Sequence, residues 1–225
     1  DGAPPVHSVP LDSPRPDRPT GRADVVDAVL SPQVRERVLA CAADHRGTEF
    51  MVVHAALAAV LAAHTPGIDP LLGTADVVVG TPYADRAGAE SMVGMAVNTL
   101  ALRVPVSLAS TFDEIVDLVR DRDLAALDHA AVPFETLVST LQPERHPARH
   151  PIVQIMLSVH AAPPLRLDLG GRTVSALPLP VERSAFDLVV TVRARTDGGA
   201  DVSVTYARDL FLPSTARHLA DAVVD

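Results

Sequence analysis

Apolar and polar residues alternate or recur along this chain in a way that predicts most of its elements. Val25, Val26, Val29 and Leu30 mark a short first strand. Ser31-Pro32 then reads as a helix cap followed by the first helical position. Val34, Val38, Cys41 and Ala42 recur at i, i+4, i+7 and i+8, so one face of that helix is buried and Arg35 and Arg37 lie opposite. A second helix opens near Thr48. Its stripe is Phe50, Val53, Leu57, Val60, Leu61 and His64, and its other face is mostly alanine, which predicts burial on several sides. Asp76–Thr81, with three consecutive valines, reads as a central strand ending at Gly80-Thr81-Pro82. A loop with Asp85, Arg86 and Gly88 follows, and Val97–Val104 is a second strand candidate.

The C-terminal half continues the alternation. Thr111-x-x-Glu114 is a capping box for a helix reaching about His129. Pro133 opens a shorter helix to Leu141. Residues 142–151 are irregular, and Ile152–His160 reads as a strand. A Pro-rich connection, Ala161 to Pro180, holds one strand near Arg172–Leu177. Leu188, Val190 and Val192 alternate with polar and apolar neighbours. Asp197-Gly198-Gly199 is a hairpin turn, and Val202, Val204 and Tyr206 alternate on the return strand. Pro213 starts a closing helix with Ala216, Leu219, Ala220 and Val223 on one face. The order predicts an α/β fold with helices packed on a mixed sheet.

Composition narrows the function. The 225 residues carry 19 Lys plus Arg against 28 Asp plus Glu, a formal charge of −9. Such a chain is poorly suited to wrapping nucleic acid or to an anionic membrane. Every basic residue is Arg, so a lysine nucleophile or Schiff base is excluded. One cysteine, Cys41, excludes an internal disulfide. Aromatics make up 3% and there is no Trp, which disfavours stacking platforms for bases. The apolar run Phe50–Ala63 is shorter than the roughly 20 residues of a membrane span and contains His54. A cytoplasmic, membrane-free protein is expected. Residues 1–22 hold six prolines and no apolar signal core, and read as a linker entering from something upstream.

The chemistry-bearing residues form no complete catalytic set. His146 and His150 lie four apart, but Pro147 and Pro151 exclude a helical metal pair, so a loop with surface histidines is expected and no metal site is assigned. Cys41, on an apolar helix face, reads as an inert buried thiol. Asp85-Arg86 reads as a surface ion pair. Asp187, at a strand start, reads either as a cap or turn residue or as a buried carboxylate with a partner. No nucleophile elbow, phosphate loop or dinucleotide fingerprint is present.

Four stretches, taken together, carry a resemblance. Val93-Gly94-Met95-Ala96-Val97-Asn98-Thr99-Leu100-Ala101-Leu102-Arg103 is similar to (Ile/Val)-Gly-x-Phe-Val-Asn-Thr-x-x-x-Arg. His129-Ala130-Ala131-Val132-Pro133-Phe134-Glu135 is similar to His-Gln-Asp-Val-Pro-Phe-Glu. Arg145–Ile152 is similar to Arg-Asp-x-Ser-Arg-(Asn/Ser)-Pro-Leu, and Asp76–Pro82 to the strand that precedes the first motif. Their order and spacing resemble the C-terminal lobe of a nonribosomal peptide synthetase condensation domain, over nearly the whole chain. The departures are Ala96 for Phe, Ala130 and Ala131 for Gln and Asp, and His146, Ala148 and His150 in the third motif. The family's His-His-x-x-x-Asp-Gly motif is absent, since no two of the nine histidines are adjacent.

The resemblance implies a chloramphenicol-acetyltransferase-like two-layer lobe over residues 23–225, paired with an N-terminal condensation lobe. It implies peptidyl carrier proteins as partners, phosphopantetheine arms as the tethers of their thioesters, and a downstream adenylation domain. It places Asn98 near the tunnel between lobes and lets Gly94 admit close backbone approach; Arg103 is structural and Phe134 belongs to the core. The connection Ala161–Ala185 is a candidate for a segment crossing to the other lobe. The implied function is amide-bond formation, with no catalytic residue in this chain and no activity in isolation. Two readings stand beside it: an inactive condensation-like module that binds carriers or a tailoring enzyme, and a remnant that packs on a neighbouring adenylation domain. The departures favour the binding module.

Overall fold

The computed structural model describes residues 2–84, 91–162, 167–168, 170–174, 179 and 181–225. Strand β1 (Ala23–Leu30) leads into helices α1 (Pro32–Asp44) and α2 (Glu49–Ala63). Strands β2 (Thr74–Ala84) and β3 (Val97–Ser107) follow, then helices α3 (Phe112–Leu127) and α4 (Phe134–Leu141). Strand β4 (Ile155–His160), the short β5 (Leu167–Asp168) and β6 (Thr173–Val174), then β7 (Leu188–Ala194), β8 (Ala200–Ala207) and helix α5 (Pro213–Val224) complete the order. The expected mixed α/β architecture is observed. Asp85, Arg86, Gly88 and much of the Ala161–Ala185 connection lie outside the described residues.

Six strands form one sheet in the order β1-β8-β7-β4-β2-β3. β1–β8, β7–β8 and β2–β3 are antiparallel, while β4 runs parallel to β7 and to β2. Alternation sets the register: Val190, Val192, Val202 and Val204 are buried while Thr191 and Ser203 between them are partly exposed. Helix α2 lies across the sheet, α3 beside β3, and α5 against β1 and β8. Local chemistry starts each of the long helices. Ser31 and Thr48 accept from the backbone N–H three residues on, and Thr111 with Glu114 forms the reciprocal capping box. Met51, Val53, Leu57 and Leu61 of α2 are all buried, each stabilising the fold by about 1.5–3 kcal/mol. Ala55, Ala58 and Ala62 are buried too, so α2 packs on more than one side.

Several strand boundaries differ from the pattern-based expectation: β2 starts at Thr74 rather than Asp76, and β3 runs on to Ser107 rather than Val104. β2 continues past Pro82 to Ala84 because beyond Gly80 its pairing is with β3, and its other edge has no ladder there for a proline to break. β4 begins at Ile155 rather than Ile152, because Ile152 has φ 64° at the centre of a tight turn closed by Val153 N–H to Pro151 O, 2.7 Å. A β-branched residue in that region is strained. Gly80 is required by packing: a Cβ there would collide with Met156 Sδ and Val153 Cγ1.

Residues 2–22, Pro-rich in sequence, lie against the body. Val9 is buried in the main core. Asp12 accepts from Leu212 N (2.8 Å) and Thr215 Oγ1 (3.0 Å), so a carboxylate from the chain's opening caps α5. Among the described residues no single helix is long and apolar enough to cross a membrane.

Candidate functional site

The first, second and third motif stretches are joined by a series of contacts. The loop before β3 and its first residues present Asn98. Its Nδ2 donates to Ala130 O (2.9 Å) and Val132 O (2.8 Å), and its Oδ1 accepts from Thr99 N (2.9 Å) and Phe134 N (3.0 Å). An amide side chain has two donors and two acceptor lone pairs. All four are engaged here, so Asn98 holds the turn 130–134 and supplies the first-turn bond of α4, whose N-cap is a proline without a side-chain cap. The Phe134 ring lies 5.5 Å from the His150 ring, and His150 lies 4.7 Å from Phe186. Phe186 precedes Asp187 at the start of β7.

Asp187 is a buried carboxylate, 6% exposed. It is held by three donors from elements far away in sequence. Arg15 Nη1 donates to Oδ1 at 2.9 Å, Arg15 Nη2 to Oδ2, and His7 Nε2 lies 3.0 Å from Oδ2. Burial pushes this carboxyl up, but the Arg15 and His7 hydrogen bonds and charges outweigh it and hold the group below the usual carboxylate range. Arg15 also donates to Ala148 O (3.0 Å), bridging Asp187 to the third motif. Gln154, 3% exposed, ties the cluster further: its Oε1 accepts from His7 N (3.0 Å) and its Nε2 donates to His150 O (2.9 Å).

A cavity of about 350 Å³ opens over this cluster. Arg15, Arg149, His150, Phe186, Asp187 and Asp209 are among the residues that line it. His150 Nδ1 lies 3.0 Å from Pro151 O; the carbonyl can only accept, so in the neutral ring the proton sits on Nδ1 and Nε2 is the acceptor. The cavity lining therefore combines the Phe186 and His150 side chains with a fixed guanidinium–carboxylate pair. The Ser184 hydroxyl, also in the lining, donates to Phe186 O (2.8 Å) and accepts from Phe186 N (3.0 Å).

Sequence reasoning and structure meet unevenly here. Asn98 lies on β3 and Gly94 on the loop before it. Asn98 directs its amide to the protein backbone, and, its two chain neighbours aside, a Cβ at Gly94 would meet no heavy atom within 4 Å among the described residues. Around Gly94 the loop exposes apolar side chains, with Val93 100% and Met95 94% exposed. Arg103 pairs with Asp76 across β2 and β3 (Nε to Oδ1, 2.9 Å), the structural role implied for it. His150, expected on the surface, is half-buried between two phenylalanines. His7 and Arg15 were missed: they sit in a Pro-rich stretch without periodicity, 180 and 172 residues from their partner. Of the two readings for Asp187, the buried and partnered carboxylate is the observed one.

Comparison with known proteins agrees with this geometry. The family model for "Condensation domain" matches residues 1–225. The chain is 38% identical over 213 residues to nonribosomal peptide synthetase kk1B of Curvularia clavata, covering 92% of this chain and 2% of that protein. It is 36% identical over 198 residues to the isonitrile lipopeptide synthase of Mycobacterium tuberculosis, covering 85% of this chain and 8% of that protein. Among solved structures, the X-domain from teicoplanin biosynthesis superposes with a TM-score of 0.83 at 29% identity, over 99% of this chain and 50% of that chain. A four-domain nonribosomal peptide synthetase, holo-AB3403, gives a TM-score of 0.87 at 22% identity over 99% of this chain and 18% of that one, a likeness of fold.

Proposed function

The chain belongs to the condensation-domain family, and we propose that it is the C-terminal lobe of a nonribosomal peptide synthetase condensation domain. In this reading it supplies one wall of the tunnel in which a carrier-bound aminoacyl amine attacks a carrier-bound acyl or peptidyl thioester. The amine nitrogen bonds to the carbonyl carbon, the carbon–sulfur bond breaks, and the proton lost by nitrogen leaves with the carrier thiol. The observation that carries the reading is coverage: 99% of this chain matches 50% of the X-domain chain, and three of the motif stretches touch one another through Asn98, Phe134 and His150. The activating histidine motif belongs to the other lobe, in keeping with its absence from these 225 residues.

This chain's residues then act by shaping and positioning. Asn98 is a positioning residue for the 130–134 turn, and Gly94 with its apolar neighbours Val93 and Met95 forms the face that meets the substrate arm or the other lobe. Arg15 and Asp187 set the floor of the cavity. Phosphopantetheine arms enter as tethers of the substrates. The N-terminal lobe, peptidyl carrier proteins and a downstream adenylation domain are the partners, in the cytoplasm.

A second reading rests on the same neighbour. The X-domain has also been solved as a complex with OxyB from teicoplanin biosynthesis, at the same identity to this chain. With Ala96, Ala130 and Ala131 in place of larger or polar motif residues, a module that recruits a tailoring enzyme is supported as well.

The test adds an N-terminal lobe bearing His-His-x-x-x-Asp-Gly in trans, with donor and acceptor carriers preloaded, and follows amide product by mass spectrometry. Product only when both lobes are present is expected. Product from this chain alone overturns the half-domain reading. No product with both lobes overturns the enzymatic reading in favour of the recruiting module.

A further inference from the structure

Away from the cavity, four side chains with metal-ligating chemistry meet where α1 ends and α3 begins. Cys41 and His45 lie one helical turn apart, and Asp113 and Asp117 are spaced the same way on α3. The ligand atoms of Cys41, His45 and Asp113 all fall within 4.8 Å of one another. His45 Nδ1 lies 3.0 Å from Asp117 Oδ1, and His45 Nε2 lies 3.4 Å from Asp113 Oδ1. Asp117 is itself anchored by Arg120 Nη1 at 2.7 Å, and the same nitrogen donates to His45 O at 2.7 Å.

We propose that Cys41, His45 and Asp113 bind a zinc ion, with Asp117 orienting the imidazole, and that the ion fastens the end of α1 to the start of α3. The Asp117 carboxylate accepts from Nδ1–H, which aims the Nε2 lone pair at Asp113. A lone pair facing a carboxylate is repulsive unless a proton or a cation lies between them. Bonds of about 2.0–2.1 Å to nitrogen and oxygen put two tetrahedral ligands about 3.3–3.4 Å apart, which matches the Nε2–Oδ1 separation. A carboxylate on the non-ligating nitrogen is the usual outer support of a zinc-bound histidine. Thiolate and imidazole select zinc over magnesium or calcium. The fourth ligand is water, since the Asp113 side chain is 79% exposed. Binding releases the Cys41 thiol proton to solvent. The cysteine that its helix face suggests is inert is half-buried beside these groups.

Cobalt(II) is the probe, titrated into the purified 225-residue chain while the thiolate-to-cobalt charge-transfer band is recorded, with zinc then added in competition. One equivalent with that band, displaced by zinc, is expected. Cys41→Ser removes the band. Asp113→Ala, a change at an exposed side chain that leaves the fold intact by far-ultraviolet circular dichroism, weakens binding. Asp117→Asn lowers affinity by about 10–100-fold without removing the band. His64→Ala, on another helix end, leaves binding unchanged. Absence of the band in the parent chain, its persistence in Cys41→Ser, or unchanged affinity in both Asp113→Ala and Asp117→Asn would overturn the proposal.

Discussion

Among the described residues, two buried histidine–aspartate pairs do different things. His54 on α2 and Asp123 on α3 face each other in the core, at 0% and 2% side-chain exposure, with Nδ1 3.0 Å from Oδ1. His7 and Asp187 meet at the same distance through Nε2 and Oδ2, but Arg15 adds a guanidinium and a cavity opens above them. In each pair one imidazole nitrogen is buried without a hydrogen-bond partner, His54 Nε2 and His7 Nδ1. The core pair joins two helices packed side by side. The cavity pair joins the opening segment to the start of β7 and to the third motif. Identical residue types thus give helix cement in one place and a site floor in the other. The deciding features are a permanent charge and open space.

The largest expected effect separates the pairs by that charge. Arg15→Met leaves Asp187 buried with one partner and costs about 3–5 kcal/mol, read by urea denaturation at neutral pH. Acid titration sharpens the point. The folded Asp187 carboxyl lies below its unfolded value of about 3.9, so its contribution is present above that pH and lost as pH falls through the folded value. In Arg15→Met burial is offset by His7 alone, and this acid-dependent loss of stability should flatten or reverse. A loss below about 1 kcal/mol in Arg15→Met, with an unchanged acid profile, would mean the pair holds nothing.

At the core pair, His54→Leu alone strands a buried carboxylate and costs about 3 kcal/mol. The double variant His54→Leu/Asp123→Leu should return to within about 1 kcal/mol of the parent or above it, because an apolar pair can replace a closed polar one. Arg15→Met/Asp187→Leu should not recover in the same way, since the links from Arg15 to Ala148 and from His7 to Asp187 are lost too. Equal recovery at both places would erase the distinction drawn between them.

Asn98→Ala comes next. It strips three hydrogen bonds from the backbone around residues 130–134 and one from Thr99 N, and leaves partners unpaired, for a cost of about 1–3 kcal/mol in thermal or urea unfolding. In a reconstituted domain, turnover per folded molecule should fall with Asn98→Ala only as far as the 130–134 turn shifts. A normal midpoint with lost turnover would instead make it a direct substrate contact. Gly94→Ala has the smallest expected effect on stability, within about 0.5 kcal/mol, as the added Cβ meets open space. If the substrate arm approaches there, turnover falls while stability stays.

Much of the framework was legible in the residues. The cap at Ser31, the box at Thr111 and Glu114 and the turn at Asp197-Gly198-Gly199 act within a few residues, so their chemistry is visible in the chain itself. The valine alternation of β7 and β8 survives because one face of each strand is buried. The motif stretches were legible as well, and with them the family. The use made of Asn98 was not. Its amide pairs with backbone groups 32 to 36 residues away, and no spacing in the sequence announces a bond to a main-chain carbonyl.

Local periodicity and capping therefore determined the elements, and the packing of α2 among β2, β3, β4 and α3 followed from its all-round apolar surface. Only the tertiary structure decided the site. Arg15 meets Asp187 across 172 residues, His7 meets it across 180, and Asp12 caps α5 across 200. A prolyl segment without amphipathic period carries no signal of where it will dock. Its place is set by buried charge: once Asp187 is enclosed at the head of β7, it needs cationic and N–H partners, and the opening segment is the part of the chain that brings them.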